Sequence, residues 1–235
     1  GTGKESDFSM SSSTSAASVS EIRDKLWLAI AERRLKPGTR LKEEELAEIF
    51  SSSRARVRQA LALLERDRLV TLIPNRGGFV AEPTIEEARD VFFARRLVEG
   101  GLLERLCETA TEADIEDLQD HIAQEREAAA EGDLATIVRL SGGFHILIAE
   151  LAGSAYLHDV LRDLVSRTSL ISTMYGPRHQ HDCGPDEHAE VVACIARRDA
   201  PGALRAMQHH LTHVEDTLDL SGGQMPTRDL RQLLG

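Results

Sequence analysis

Only one stretch of this chain reads as a β-hairpin, and its position limits the fold more than any other feature. Leu69-Val70-Thr71-Leu72-Ile73 and Phe79-Val80-Ala81 are short apolar runs separated by the turn chemistry of Pro74-Asn75-Arg76-Gly77-Gly78. The residues on either side carry helical periodicity. Upstream, Ile22, Leu26, Ala29 and Ile30 recur at helical spacing within residues 19–35, until Lys36-Pro37-Gly38 stops the helix. A second short helix is expected over about 42–50, with Leu46, Ile49 and Phe50 turned inward. Ser51-Ser52-Ser53 then breaks the chain and offers a cap to a third helix, whose apolar stripe is Val57, Ala60, Leu61 and Leu64. Three helices followed by a hairpin predict a winged helix-turn-helix over residues 19–82.

Beyond the hairpin, Glu82-Pro83-Thr84 is a seam, because Pro83 disfavours helix at Glu82 and Thr84 can cap the next helix. Only helices are predicted after it, over about 84–108, 112–130, 133–152, 155–174, 184–198 and 200–219. The fold class is therefore mainly α: a winged helix-turn-helix, then an all-α helical bundle over 84–220. Residues 1–18 are rich in Ser and Gly and are expected to form a disordered tail, and residues 221–235 a flexible one.

The formal net charge of −11 would argue against a polyanionic partner if it were spread evenly. It is not, since residues 1–82 carry 14 Lys and Arg against 12 Asp and Glu, and residues 83–235 carry 14 against 27. The two units are built for different partners. Cys107, Cys183 and Cys194 form no CxxC pair and leave an odd thiol, which fits a reducing cytosol. No run approaches a membrane span and the N-terminus lacks the order of a signal peptide, so a cytoplasmic, nucleoid-associated protein with no membrane partner is expected.

The third helix opens with Arg54, Arg56 and Arg58 opposite its apolar stripe. Arg54 and Arg58 are four apart and share one face, while Val57 and Leu61 hold the helix in the core. A recognition helix entering a major groove needs this arrangement, because guanidinium forks pair bidentately with guanine edges. Arg56 is turned partly elsewhere, toward phosphate. Arg76 and Gly77 suit a wing tip, where glycine allows close approach to the sugar-phosphate backbone.

Leu35-Lys36-Pro37-Gly38-Thr39-Arg40-Leu41, Glu43, Leu46-Ala47-Glu48, Ser53-Arg54, Val57-Arg58-Gln59-Ala60-Leu61 and Arg76-Gly77-Gly78-Phe79-Val80 together resemble the GntR family of bacterial regulators. The resemblance implies operator contacts by Arg54 and Arg58, with Arg40 counted beside them, and a wing in the neighbouring minor groove. Family members often carry Arg on the second helix where this chain has Glu44, so a different operator preference is expected. Past the seam, the run from Val91 to Glu99 resembles the opening of the FCD effector domain found in the FadR subfamily.

Three inward histidines are the main signal in the second unit. His145 follows Val138 and Ser141 and precedes Ile148; His188 precedes Val191 and Val192; His210 lies within the stripe Leu204, Met207, Leu211, Val214 and Leu218. Its neighbour His209 is expected to face solvent and His213 to sit at the flank. Each buried imidazole would otherwise need its own partner, whereas one divalent ion satisfies all three. The resemblance implies the same three ligands, with a carboxylate one turn before the first, and Ser141 stands at that position. Imidazole ligands without a carboxylate favour zinc or nickel. Arg95 is read either as pointing into the cavity toward an acid or as a surface pair with Glu99, and Ser141 is counted with it as an effector-binding residue.

These features predict a homodimeric repressor that grips palindromic operator DNA and responds to a small organic acid. Two alternatives stand beside it. A metal-dependent hydrolase could use the three histidines, with Glu150 or Glu187 as candidate base, and a regulator could retain only a vestigial site.

Overall fold

The computed structural model describes residues 15–177 and 184–222; Cys183 and most of both expected tails lie outside them. Residues 17 and 18, assigned to the tail from sequence, belong to the fold. Ser18 and Glu21 form a capping box on α1 (Val19–Ala31), and Ser52 donates to the Ala17 carbonyl at 2.8 Å.

After α1 come β1 (Arg40–Leu41), α2 (Glu43–Ile49), α3 (Arg54–Arg66), β2 (Val70–Ile73) and β3 (Gly77–Val80). Sequence periodicity missed β1, which is two residues long and has no alternation to read. It pairs antiparallel with β3, setting Arg40 opposite Phe79, and β2 pairs with the other side of β3. Asn75 and Gly77 take positive φ in the turn between β2 and β3, the conformation such a hairpin requires. The core joins Ile22, Leu26 and Ile30 to Leu46, Val57, Leu61, Leu64 and Val80. Ile49, expected inward, is 66% exposed, because the two turns of α2 bury a single row through Leu46.

The second unit is helical throughout its described residues: α4 (Ile85–Thr109), α5 (Glu112–Glu131), α6 (Leu134–Leu151), α7 (Ala155–Tyr175), α8 (Pro185–Ala196) and α9 (Ala200–Asp216). Thr84 caps α4 as expected, with Glu87 returning the bond. Helix α6 is long and apolar enough to cross a membrane by length and composition, which corrects the expectation that no segment reaches that threshold. Here its Phe144, Ile148 and Ala149 belong to the bundle core, with Leu102, Leu106, Leu118, Val191 and Met207. Gly142 allows α7 to pack closely against it, since a Cβ there would lie 2.8 Å from Val165 Cγ1.

The two units meet along α7. Leu170 completes the N-terminal core, Ser169 Oγ donates to the Ala31 carbonyl at 3.0 Å, and the Arg167 guanidinium donates to the Asp67 carbonyl at 3.1 and 3.3 Å. Arg162 stacks over the Trp27 ring at 4.2 Å. In this seam, burial and the neighbouring Asp67 push the Asp163 carboxyl up to about 6, against Arg162 and Arg167. A carboxyl raised above its unfolded value of 3.8 contributes stability below that pH and loses it as pH rises through about 6. Asp163→Asn is therefore expected to raise the thermal midpoint at pH 7.5 by about 1–3 °C, a modest gain because the half-exposed group is screened. At pH 4 thermal melts should show no difference between variant and parent.

Candidate metal centre and DNA-reading face

The histidines converge because each lies on the buried row of its own helix. His145 shares that row of α6 with Phe144 and Ile148, His188 shares that of α8 with Val191 and Val192, and His210 shares that of α9 with Met207 and Leu211. His188 Nε2 lies 3.1 Å from His210 Nε2, which in turn lies 3.2 Å from His145 Nε2. The three potential ligand atoms all fall within 4.8 Å of one another. His188 stacks on Phe144, with ring centroids 4.1 Å apart, so its orientation is fixed by packing.

Behind each imidazole stands a carboxylate. Glu99 Oε2 is 2.5 Å from His145 Nδ1, Glu125 Oε2 is 2.8 Å from His188 Nδ1, and Glu187 Oε2 is 2.7 Å from His210 Nδ1. An ionised carboxylate only accepts, so these contacts assign the imidazole proton to Nδ1 in all three rings and leave the three Nε2 lone pairs facing one another. A cation between them would resolve that repulsion. Zinc–imidazole bonds of about 2.0–2.1 Å in tetrahedral geometry put ligand nitrogens about 3.3 Å apart, close to the separations found.

Electrostatics keep Glu99 and Glu125 ionised and His145 and His210 neutral. Burial would raise the Glu99 carboxyl, but Arg95 and His145 outweigh it and hold it at about 2. Burial pushes His145 down to about 3 despite Glu99, and it lowers His210 despite Glu187. Burial likewise opposes ionisation of Glu125, but hydrogen bonds from His121 and His188 hold its carboxyl below the ordinary value. The carboxylate–imidazole pairs are a supporting layer of the kind that orients metal-bound histidines.

Sequence reasoning did not place these three glutamates behind the histidines: Glu99 was read only with Arg95, Glu187 only as a candidate base, and Glu125 not at all. Glu125 was legible in principle, one turn beyond Leu118 and Ile122 on the inward row of α5. Glu187 is engaged by His210 and, through Oε1, by His213 at 2.5 Å. Glu150 is exposed, so neither of the two bases considered for hydrolysis stands free at the histidines. His209 and His213 are exposed.

Arg95 is buried rather than on the surface, where it pairs with Glu99 and also lines a cavity. Its Nε donates to Glu99 Oε1 at 2.8 Å and its Nη1 to Thr168 Oγ1 at 3.2 Å, while Nη2 has no hydrogen-bond partner among the described residues. It lines a cavity of about 30 Å³ beside the centre, together with Ser141, His145, Thr168, Ser172 and His210.

On the other unit, Arg54, Arg56 and Arg58 are exposed at the start of α3, with Ser53 accepting from the Arg56 amide as its cap. Arg58 donates from Nε and Nη2 to the two oxygens of Glu43, at 3.1 and 2.8 Å. That fork holds the Glu43 carboxyl below its ordinary value. Arg54 lies 4.0 Å from the same carboxylate. Arg40 and Arg76 are also exposed, and Arg76 sits over the Phe79 ring at 5.7 Å at the hairpin tip.

The profile of the bacterial regulatory proteins of the gntR family matches residues 18–80, and that of the FCD domain matches residues 90–213. The chain belongs to the GntR family. It is a DNA-binding transcription regulator of the FCD-bearing kind, not an enzyme, as are the relatives it resembles. It is 26% identical over 186 residues to the HTH-type transcriptional repressor RspR of Escherichia coli (strain K12), covering 77% of this chain and 80% of the relative. With the HTH-type transcriptional regulator LutR of Bacillus subtilis (strain 168) it shares 28% identity over 210 residues, 78% of this chain and 93% of that one. The transcriptional regulator GntR of Rhodococcus sp. RHA1 has the same fold, with a TM-score of 0.75 at 24% identity over 88% of this chain and 98% of that structure.

Proposed function

We propose that the protein is a homodimeric repressor of the bacterial cytosol that binds a palindromic operator through α3 and the wing. In this reading its grip is controlled by a small organic acid bound beside a divalent metal in the helical unit. Arg54 and Arg58 read base edges, Arg56 and Arg40 take phosphates, and Arg76 with Gly77 enters the adjacent minor groove.

The observation that carries the metal is the convergence of three Nε2 atoms whose rings are tied by Nδ1 to carboxylates. His145, His188 and His210 would hold zinc or nickel, and the ion would supply a Lewis-acid contact for an acid's oxygen. Ser141 leaves the coordination that a carboxylate would fill to the ligand. The protein's own part is to orient the rings, exclude bulk water and present Arg95 Nη2. Elemental analysis of the purified protein, with anisotropy of labelled upstream DNA titrated with small carboxylates before and after chelation, tests this. Protein that binds no metal and DNA affinity indifferent to every acid would overturn it.

The dimer reading rests on α4. Phe93 and Leu97, 62% and 63% exposed, stand one turn apart, and Gly100 and Gly101 continue the same helix with open space around them. Adjacent large apolar side chains at this exposure fit burial against a second copy. Phe93→Glu with Leu97→Glu is expected to give a monomer in light scattering and to weaken operator binding at least tenfold, because two half-sites are no longer gripped together. An unchanged dimer would move the interface elsewhere.

A further inference from the structure

We propose that Glu43 is a positioning residue for operator reading: it holds Arg58 by one edge of the guanidinium and so presents another edge to a guanine. This rests on the reading of Arg58 as a base contact. Glu43 opens α2 and Arg58 lies in the second turn of α3, so the pair ties the two helices of the reading unit together on their exposed side.

The atoms engaged decide what is left for DNA. Arg58 spends Nε and one proton of Nη2 on Glu43 Oε1 and Oε2, at 3.1 and 2.8 Å. A guanidinium has five N–H donors in a rigid plane, so both protons of Nη1 and the second of Nη2 remain. These form the end-on fork that matches O6 and N7 of guanine. Arg58 can therefore pair with a base while it keeps its carboxylate. With two hydrogen bonds fixed, the plane and outward edge of the side chain are set before DNA arrives, and less side-chain freedom is lost on contact.

Exposure separates this role from a stabilising one. The Arg58 side chain is 62% exposed and that of Glu43 24%, and ion pairs so placed add little to folding. Charge adds a second effect. Glu43 Oε2 also lies 4.0 Å from Arg54 Nη2, so a single carboxylate stands between the two base-reading arginines and offsets one of their two positive charges. Phosphate responds to net charge, whereas a guanine edge is recognised by the geometry of its donors. Glu43 thereby weakens the grip on DNA of any sequence and preserves the contact that marks the operator. Glu44, its exposed neighbour on α2, makes no ion pair with either arginine among the described residues, and so carries the same charge without the fork.

The test is selection of binding sites from a random-sequence DNA library, followed by anisotropy titration of the selected site and of scrambled DNA across a salt series. The parent is compared with Glu43→Gln, Glu44→Gln and Arg58→Ala. The parent is expected to select a guanine in each half-site that Arg58→Ala no longer selects. Glu43→Gln should lose at least tenfold in preference at that same position, bind scrambled DNA more tightly and show a salt slope steeper by about one. Glu44→Gln should steepen the slope alike and keep the guanine. In the Arg58→Ala background, Glu43→Gln should cost nothing more at that position, because the two act through one contact. Melting midpoints should stay within about 3 °C of the parent, the reach of a lost charge at a helix N-terminus. A Glu43→Gln protein with the parent's guanine preference overturns the positioning role and leaves Arg58 a base contact. Sharper selection by Glu43→Gln would make the carboxylate a competitor, and an equal loss in Glu44→Gln would make the effect one of charge alone; either result overturns the proposal. If Arg58→Ala itself keeps the guanine, the reading of Arg58 falls and the role of Glu43 with it.

Discussion

Arg54→Ala combined with Arg58→Ala is expected to abolish operator-specific binding while leaving the fold intact. Both side chains are exposed in the first turns of α3, where Val57 and Leu61 carry the core contacts, so their removal costs the core nothing. Each bidentate base contact discriminates by roughly ten- to hundredfold, so the two together supply about 10²–10⁴-fold, comparable with the lower part of the margin of about 10³–10⁷ that separates specific from non-specific binding. Anisotropy titrations at fixed salt should show the double variant binding operator and scrambled DNA alike. Arg56→Ala, by contrast, should weaken both equally and make the salt dependence shallower, because a phosphate contact carries no sequence information. Retained specificity in the double variant would remove α3 from the reading surface. The Glu43 fork on Arg58 refines this expectation, since it takes Nε and Nη2 and leaves the end edge of the guanidinium for the base. The carboxylate pre-orients the guanidinium.

Metal removal is the second large effect expected. Without a cation, three Nε2 lone pairs face one another in a buried site, and a metal bound at a thousand times its dissociation constant adds about 4 kcal/mol to stability. For a chain of this size, chelation should lower the thermal midpoint by roughly 10 °C. His188→Asn should melt near the chelated parent and be indifferent to chelator. Glu99→Gln should keep the fold but bind metal about 10–100-fold more weakly, because the carboxylate that fixes the His145 tautomer is replaced by an amide. Differential scanning fluorimetry with elemental analysis reads all three. A parent whose midpoint ignores chelator would show that the histidines are satisfied without an ion.

Ser141 illustrates how far sequence reasoning reached. Its place one turn before His145 was legible, and it does line the cavity, but a hydroxyl there suggested a site short of negative charge. That charge is supplied from behind the ligands by Glu99, Glu125 and Glu187. Glu99 had been paired with Arg95 alone, because an i,i+4 spacing is visible in sequence and its second oxygen's contact with His145, 46 residues away, is not. Ile49 failed for the opposite reason: a two-turn helix is too short for periodicity to say which of its apolar residues are covered.

By itself the sequence determined the order of elements, the arginines that α3 presents, and the inward direction of His145, His188 and His210. Each of these comes from 3.6-residue periodicity, caps and turn chemistry, which act over a few neighbouring residues. Only the tertiary structure decided which carboxylate stands behind which imidazole, that Arg95 is buried, that Glu43 grips Arg58, and that Arg33 of one unit enters the cavity of the other. These pairings join residues from 15 to 63 positions apart or across the seam on α7, and helix packing rather than local pattern sets their distances.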